Sequence, residues 1–419
     1  MRILFLSSFF PPDTGSASHL FYELASALVK RGHQVTVITS MPSYHPSGDL
    51  RVYRRKLFRR EQFNGIDVLR VAIPCLRRDT RIGRGLWQFL SAAMFFLCGI
   101  LIRRRDVSLV YSPPLPLGLA AHGIALLRGT PFLLNVQDLF PRSAMDLGLL
   151  KNKHLIAFFE SLEKFLYRRA AIVTVHSEGN LRHVVSLAGG RENVQVMENW
   201  IDTDFLVPME KENALRKELH LENKFIASFA GVLGYSQDLD IILDAAERLR
   251  SYSDIQFLIV GDGVEKDRIE KRAAAMALPN VCFLPMQSRE KYPSVLAASD
   301  VCLVTLRADV KTPVVPSKII SAMAAQRPVI AALDPSGDAP ELIRAAGCGV
   351  ACNPGDPGAF ANAILLLRDH ADQREEAGRS GRQFAERHLS LSSAAQRYEQ
   401  LLEEVHGISQ KALSPAKVI

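Results

Sequence analysis

Both halves of this chain repeat one grammar: a short run that is almost wholly apolar, a turn of small residues, then an amphipathic helical stretch. In the first half the apolar runs fall at 2–8, 34–39, 67–72, 107–111, 132–136 and 171–176, with helical spacing near 18–31, 86–104, 116–128 and 154–169. In the second half, runs at 225–230, 256–260, 281–283, 301–306 and 329–332 alternate with helices near 240–250 and 265–276. Strands apolar on both faces belong to parallel sheets covered by helices. The expected class is therefore α/β: two Rossmann-like doubly wound parallel-sheet domains facing a central cleft. A length of 419 residues, too great for a single core, agrees with two domains. The boundaries are set at 1–205 and 206–387, with a helix at 388–406 joined to the first domain and a flexible tail at 407–419.

Charge separates the halves. Residues 1–200 hold 26 lysines and arginines against 14 acids, and residues 201–419 hold 25 against 30. The excess is clustered in Arg51, Arg54, Arg55, Lys56, Arg59 and Arg60, and again in Arg103–Arg105. Such clusters suit nucleic acid or an anionic membrane. The apolar run 89–102, preceded by Trp87 and followed by three arginines, favours the membrane. At 14 residues it is too short to span a bilayer, which takes about 20. An interfacial helix anchored by Trp87 is expected, with a buried core helix as the alternative reading. No nucleic-acid partner is expected. The run at 1–6 passes directly into a strand, so no signal peptide is expected. The cysteines (Cys75, Cys98, Cys282, Cys302, Cys348, Cys352) form no paired framework, which points to reduced thiols and a cytosolic location.

Chemistry concentrates at Pro316-Ser317-Lys318, which opens a helix just before the apolar run at 329. Ser317 is expected as its N-cap. Free N–H groups at the helix start, with Lys318 beside them, suit a diphosphate; a capped surface helix with a solvated lysine is the plainer reading. Two further small-residue turns follow strands: Gly15-Ser16, and Gly231 through Gly234. The three turns would converge on one diphosphate. A dinucleotide-binding fold is excluded, because only Gly15 follows the first strand and the second ends Thr39-Ser40-Met41 without an acid. Gly261-Asp262-Gly263 lacks the third glycine, and no Gly-x-x-x-x-Gly-Lys-Ser/Thr loop is present.

Several stretches in order carry a resemblance. They are Phe10-Pro11-Pro12-Asp13-Thr14-Gly15, Arg31-Gly32-His33, Met41-Pro42-Ser43-Tyr44-His45, Gln137-Asp138-Leu139-Phe140-Pro141, Glu198-Asn199-Trp200, Gly261-Asp262-Gly263 and Pro316-Ser317-Lys318. With them the chain resembles the retaining family-4 glycosyltransferases of the GT-B fold, in the branch with N-acetyl-L-fucosamine transferases of surface polysaccharide assembly. The resemblance implies an acceptor-binding N-terminal domain and a C-terminal domain for a sugar nucleotide. It also implies a last helix that crosses back to the first domain, no metal, and same-face attack assisted by the leaving phosphate. Lys318 would neutralise the leaving diphosphate.

Departures from the family pattern are informative. Pro313 and Ser321 stand where acids commonly hold ribose and sugar hydroxyls, so Ser321 or Glu341 is expected to supply that contact. Gln137 occupies the place of a frequent histidine and cannot titrate, which leaves Asp138 either as an actor on donor or acceptor or as a helix cap. Gly263 would line the nucleotide and His19 the acceptor, while structural roles are the first reading of His19, His45 and His176. Glu160, Glu163 and Lys164 read as a solvated, self-paired face. The expected function is transfer of an N-acetylated hexosamine-type sugar from a UDP-sugar to a polyprenyl-diphosphate-linked acceptor. The work would be done at the inner face of the plasma membrane, in surface polysaccharide synthesis. A UDP-sugar 2-epimerase and a non-catalytic donor-binding subunit are the rivals.

Overall fold

The computed structural model describes residues 1–13, 15–42, 50–53, 55–74, 81–190 and 192–413. Thr14, His45, Arg54 and Cys75 lie outside these, as do the Ser16 side chain and residues 414–419 of the expected tail. The chain divides into two compact units, one of 1–144, 150–199 and 391–419, the other of 145–149 and 200–390.

In the first unit the elements run β1 (Arg2–Leu6), α1 (Ser16–Lys30), β2 (Gln34–Ser40), β3 (Phe58–Phe63), β4 (Ile66–Val71), α2 (Arg81–Leu101) and β5 (Val107–Ser112). They continue with α3 (Leu117–Arg128), β6 (Phe132–Val136), α4 (Arg142–Asp146), α5 (Lys153–Arg169), β7 (Ile172–Val175), α6 (Glu178–Ala188) and β8 (Val194–Val196). The sheet order is β3-β4-β2-β1-β5-β6-β7-β8. Every pairing is parallel except β3 with β4. Helices α2, α3, α5 and α6 pack side by side in one layer, as right-handed crossovers require. Leu6, Val110, Leu134 and Val136 of the sheet meet Phe95, Ile124, Phe159 and Leu166 of that layer.

Two expectations for this unit are corrected. Residues 58–60 are not a free basic segment, because they open the edge strand β3, turned back on β4 by Asn64 and Gly65 at φ 50° and 81°. There Arg59 binds Glu61 at 2.7 Å and Arg60 binds Asp67 at 2.8 Å. Arg51, Arg55 and Lys56 are exposed. Trp87 is no interfacial anchor: it is buried with Ala92, Phe95 and Cys98, on the face of α2 that covers the sheet. Among the described residues no helix is long and apolar enough to cross a membrane.

The second unit runs α7 (Ala214–Glu218), β9 (Phe225–Ala230), α8 (Asp240–Arg248), β10 (Ile255–Val260), α9 (Lys266–Ala275), β11 (Val281–Leu284), α10 (Tyr292–Ala297) and β12 (Val301–Thr305). After these come α11 (Ser317–Ala324), β13 (Val329–Ala332), α12 (Asp338–Ala346), β14 (Gly349–Cys352), α13 (Pro357–Asp369) and α14 (Ala371–His388). Its sheet is wholly parallel, in the order β11-β10-β9-β12-β13-β14. Both faces are covered, one by Phe229, Phe257, Leu243 and Phe360, the other by Ile319, Met323, Val304 and Ile343. Burying each such side chain stabilises by about 1.5–3 kcal/mol. Arg216, fully buried, binds Asp300 at 2.6 Å and the Ala298 carbonyl at 2.8 Å, which ties α7 to the sheet. The last helix, α15 (Leu391–Leu413), belongs to the first unit and packs on α1, β5 and β6.

Candidate active site

In the second unit the strand order reverses direction between β9 and β12, the place where loops part and ligands of open α/β sheets bind. The loop after β9 carries Gly231, and the segment after β12 leads into α11 with Lys318. Pro316, not Ser317, is the N-cap residue; its extended backbone (φ −60°, ψ 129°) turns into the helix and no side chain caps it. Ser317 is instead the first helical residue and is exposed. The orphan N–H groups of the first turn are thus left for another partner.

Lys318 leaves this turn half-buried. Its Nζ lies 4.8 Å from the Phe229 ring centre and donates to Gln237 Oε1 at 3.4 Å. No described carboxylate pairs with it. Loss of water around the ammonium pushes its pKa down from 10.5 to about 8. A cation held in this way is short of negative charge.

Gly231 makes room for that side chain. Its φ is 145°, and a Cβ there would stand 2.7 Å from Lys318 Cε. Gly261 and Gly263 serve a different end. A Cβ at Gly261 would stand 1.9 Å from the Gly231 carbonyl oxygen, and one at Gly263 2.3 Å from that of Leu233. The loops after β9 and β10 therefore interlock, fastened by Leu233 N–H to the Asp262 carbonyl at 2.9 Å and Glu265 N–H to the Leu233 carbonyl at 3.1 Å. Within the protein, Gly263 thus meets the loop after β9. Gly234 has space for a methyl group. Ser321 is buried and shares a hydrogen bond with the Tyr292 hydroxyl, while Glu341 is exposed in the first turn of α12, where it complements the helix dipole.

In the first unit, Gln137 and Asp138 follow β6. Gln137 is buried and both ends of its amide are engaged: Nε2 donates to Asn135 Oδ1 at 2.9 Å, and Oε1 accepts from Asn199 at 2.8 Å. Asn135 in turn donates to the Tyr398 hydroxyl of α15 at 2.7 Å and to Thr174 at 3.0 Å. Asp138 differs. Its side chain is exposed, and among the described residues its carboxylate accepts no hydrogen bond, so it caps no helix. Solvent reaches it, yet the protein crowded around it dehydrates the carboxyl and raises its pKa, against the opposing charge of His176. His176 is buried, with Nε2 3.0 Å from Asn180 Nδ2. Gly15 (φ 128°) is the N-cap residue of α1, and its carbonyl accepts from the backbone N–H of His19 at 3.2 Å. Glu163 is not part of a solvated face: it is buried, accepting from Tyr167 at 2.8 Å with His183 at 3.2 Å.

Two parallel-sheet units, with a cation beneath a glycine loop at the switch point of the second, define the GT-B class of glycosyltransferase. Residues 14–200 match the family described as "Glycosyl transferase 4-like domain", and residues 210–384 match "Glycosyl transferases group 1". The chain belongs to the group 1 glycosyltransferases with a 4-like N-terminal domain. It is similar to the putative colanic acid biosynthesis glycosyl transferase WcaI of Escherichia coli K12, 27% identical over 77% of this chain and 81% of that one. It is also similar to the probable glycosyltransferase WbjE of Pseudomonas aeruginosa, 27% identical over 70% of this chain and 73% of that one. Among solved structures, sucrose-phosphate synthase of Thermosynechococcus elongatus shares the fold with a TM-score of 0.78 and 16% identity, covering 97% of this chain and 99% of that one. Anabaena HepE in complex with UDP does so at 0.71 and 18%, covering 96% and 100%.

Proposed function

We propose that this glycosyltransferase moves a sugar, of the N-acetylated hexosamine type, from UDP to a lipid-linked saccharide in surface polysaccharide synthesis, with retention at the anomeric carbon. The observation that carries the proposal is Lys318: half-buried, without a partner among the described carboxylates, and set at an uncapped helix start under Gly231. A nucleotide diphosphate supplies the charge that this site lacks. Its oxygens would take the first N–H groups of α11 and the Lys318 ammonium, and Gly231 lets them approach closely. UDP as the nucleotide is supported by the HepE complex, and polysaccharide synthesis by the name of WcaI.

In the reaction the bond from the anomeric carbon to the diphosphate oxygen breaks. A new bond to the acceptor oxygen forms on the same face, and the acceptor proton passes to the departing diphosphate. Lys318 stabilises the negative charge that grows on the leaving group. Asp138, with a carboxyl poised upward in pKa and uncommitted to a cap, orients the acceptor or a donor hydroxyl. The reading is tested by thermal shift with a panel of nucleoside diphosphates, followed by product analysis with donor alone and with donor plus lipid-linked acceptor. Stabilisation by UDP above the other bases, and turnover only with acceptor, are expected. Turnover of the donor alone to an epimeric sugar nucleotide would overturn it.

A further inference from the structure

The outer surface of the α2–α3–α5 layer in the first unit is apolar where solvent should favour polar groups. Leu101 of α2 is 82% exposed, and Leu126 and Leu127 of α3 are 72% and 65% exposed. Leu97, Phe158 and Phe165 extend the same surface along α2 and α5. The three helices lie side by side. Gly99 of α2 sits so close to Ile124 of α3 that a Cβ would stand 2.2 Å from it, and His122 of α3 meets the Phe165 ring edge-on at 5.2 Å. Single exposed leucines are ordinary, but a continuous group on adjacent helices marks an interaction surface.

The charge around this surface is of one sign. Arg103 and Arg104 follow α2, Arg128 ends α3, and Arg168 and Arg169 end α5. Arg104 donates to the Gly129 carbonyl and Arg128 to that of Ile102, which holds both guanidinium groups beside the leucines. None of the five arginines pairs with a described carboxylate. Neither α2 nor α3 contains an acid, and of the two on α5 Glu163 is buried in its own hydrogen bonds. We propose that this face docks on an anionic lipid bilayer. The leucines and phenylalanines enter the interfacial zone and the arginines meet lipid phosphates. Two copies of the face would oppose like charges, and nucleic acid has no use for exposed leucines. The proposal extends the reading above, in which the acceptor is lipid-linked, and it moves the membrane contact from Trp87 and the 51–60 segment to the outer helices.

The test is sedimentation of the full chain with vesicles of phosphatidylcholine alone or mixed with phosphatidylglycerol, at low salt. Three variants are compared: Leu101→Gln/Leu126→Gln/Leu127→Gln, Arg103→Gln/Arg104→Gln, and Arg55→Gln/Lys56→Gln. The first two should each weaken binding to the anionic vesicles by about tenfold or more, and the third by less than about twofold. The substituted side chains are exposed, so folding should survive; UDP-induced thermal shift in each variant checks this. Unchanged vesicle binding in the leucine variant overturns the proposal, as does loss only in the Arg55/Lys56 variant. So does a concentration-dependent dimer of the parent chain that the leucine variant abolishes. If vesicle binding fails while the UDP shift persists, the docking face falls and the transferase reading stands; vesicle binding without any nucleotide shift gives the reverse.

Discussion

Replacing Lys318 by methionine should make the free protein more stable and, at the same time, a poorer binder of nucleotide. The ammonium stands over Phe229 with, among the described residues, only the Gln237 amide as hydrogen-bond partner, and its pKa falls from 10.5 to about 8. Because the folded value lies below the unfolded one, protonation costs stability at pH below about 8, and the cost fades as pH rises from about 8 towards 10.5. The full gap corresponds to roughly 3 kcal/mol, and water reaching the half-buried chain reduces this to about 1–2 kcal/mol. Methionine fills a similar volume without charge, so at pH 7 it should raise stability by that amount. The gain should vanish near pH 10.5. Nucleotide binding should run the other way. If only the ammonium form holds the diphosphate, affinity of the parent protein drops about tenfold between pH 7 and 9. The variant should bind UDP at least about tenfold more weakly at pH 7. Its profile should also lack the lysine-linked decline, titration of the base itself being common to both proteins. Urea unfolding of the second unit and calorimetry across pH measure the two effects. A variant destabilised at pH 7, or one whose affinity profile runs parallel to the parent's, would refute the reasoning.

Other outcomes follow from single contacts. Gly231→Ala should cost about 1–3 kcal/mol through its φ of 145°, and should weaken UDP binding by displacing Lys318. That second effect should shrink in the Lys318→Met background, measured as a double-mutant cycle by calorimetry. Asp300→Ala removes the buried carboxylate of Arg216, leaving it the half-exposed Glu212 as its ion-pair partner, and should cost about 3 kcal/mol in urea unfolding. Gln137→Leu leaves Asn135 and Asn199 without their amide partner and should cost about 1–3 kcal/mol. Asp138→Asn should lower the transfer rate by more than about tenfold while leaving the UDP thermal shift intact; equal loss of both would assign it to donor binding.

The alternation of apolar runs and amphipathic helices was enough to read two parallel sheets, because strands buried on both faces tolerate few polar residues. The hairpin β3–β4 is legible too. Asn64-Gly65 is the dipeptide that a tight two-residue turn favours, although the arginines before it also fit an exposed basic segment. Trp87 is ambiguous for a related reason: a Trp, apolar run, Arg order describes a membrane-interface helix and a core helix with a basic end equally well, and only its neighbours decide. The helix-start pattern points to Lys318, yet the cap lies one residue before Ser317 because Pro316 itself makes the turn. The work of Gly261 and Gly263 could not be read locally. Their constraint is the carbonyl oxygens of Gly231 and Leu233, which sequence distance conceals.

The placement of α15 reaches into how the chain acquires its form. Tyr398 hydrogen-bonds Asn135 at a sequence separation of 263, and the whole second unit is contained between these residues. During synthesis from the N-terminus, the second unit can close its core while the first still lacks a helix over β5 and β6. The first unit to emerge is therefore the last to be completed. A chain cut at Ser390 would keep every strand of both sheets, yet it would leave the first unit without α15 and the second unit complete. Proteolysis of nascent or truncated chains should strike the first unit's sheet before the second's.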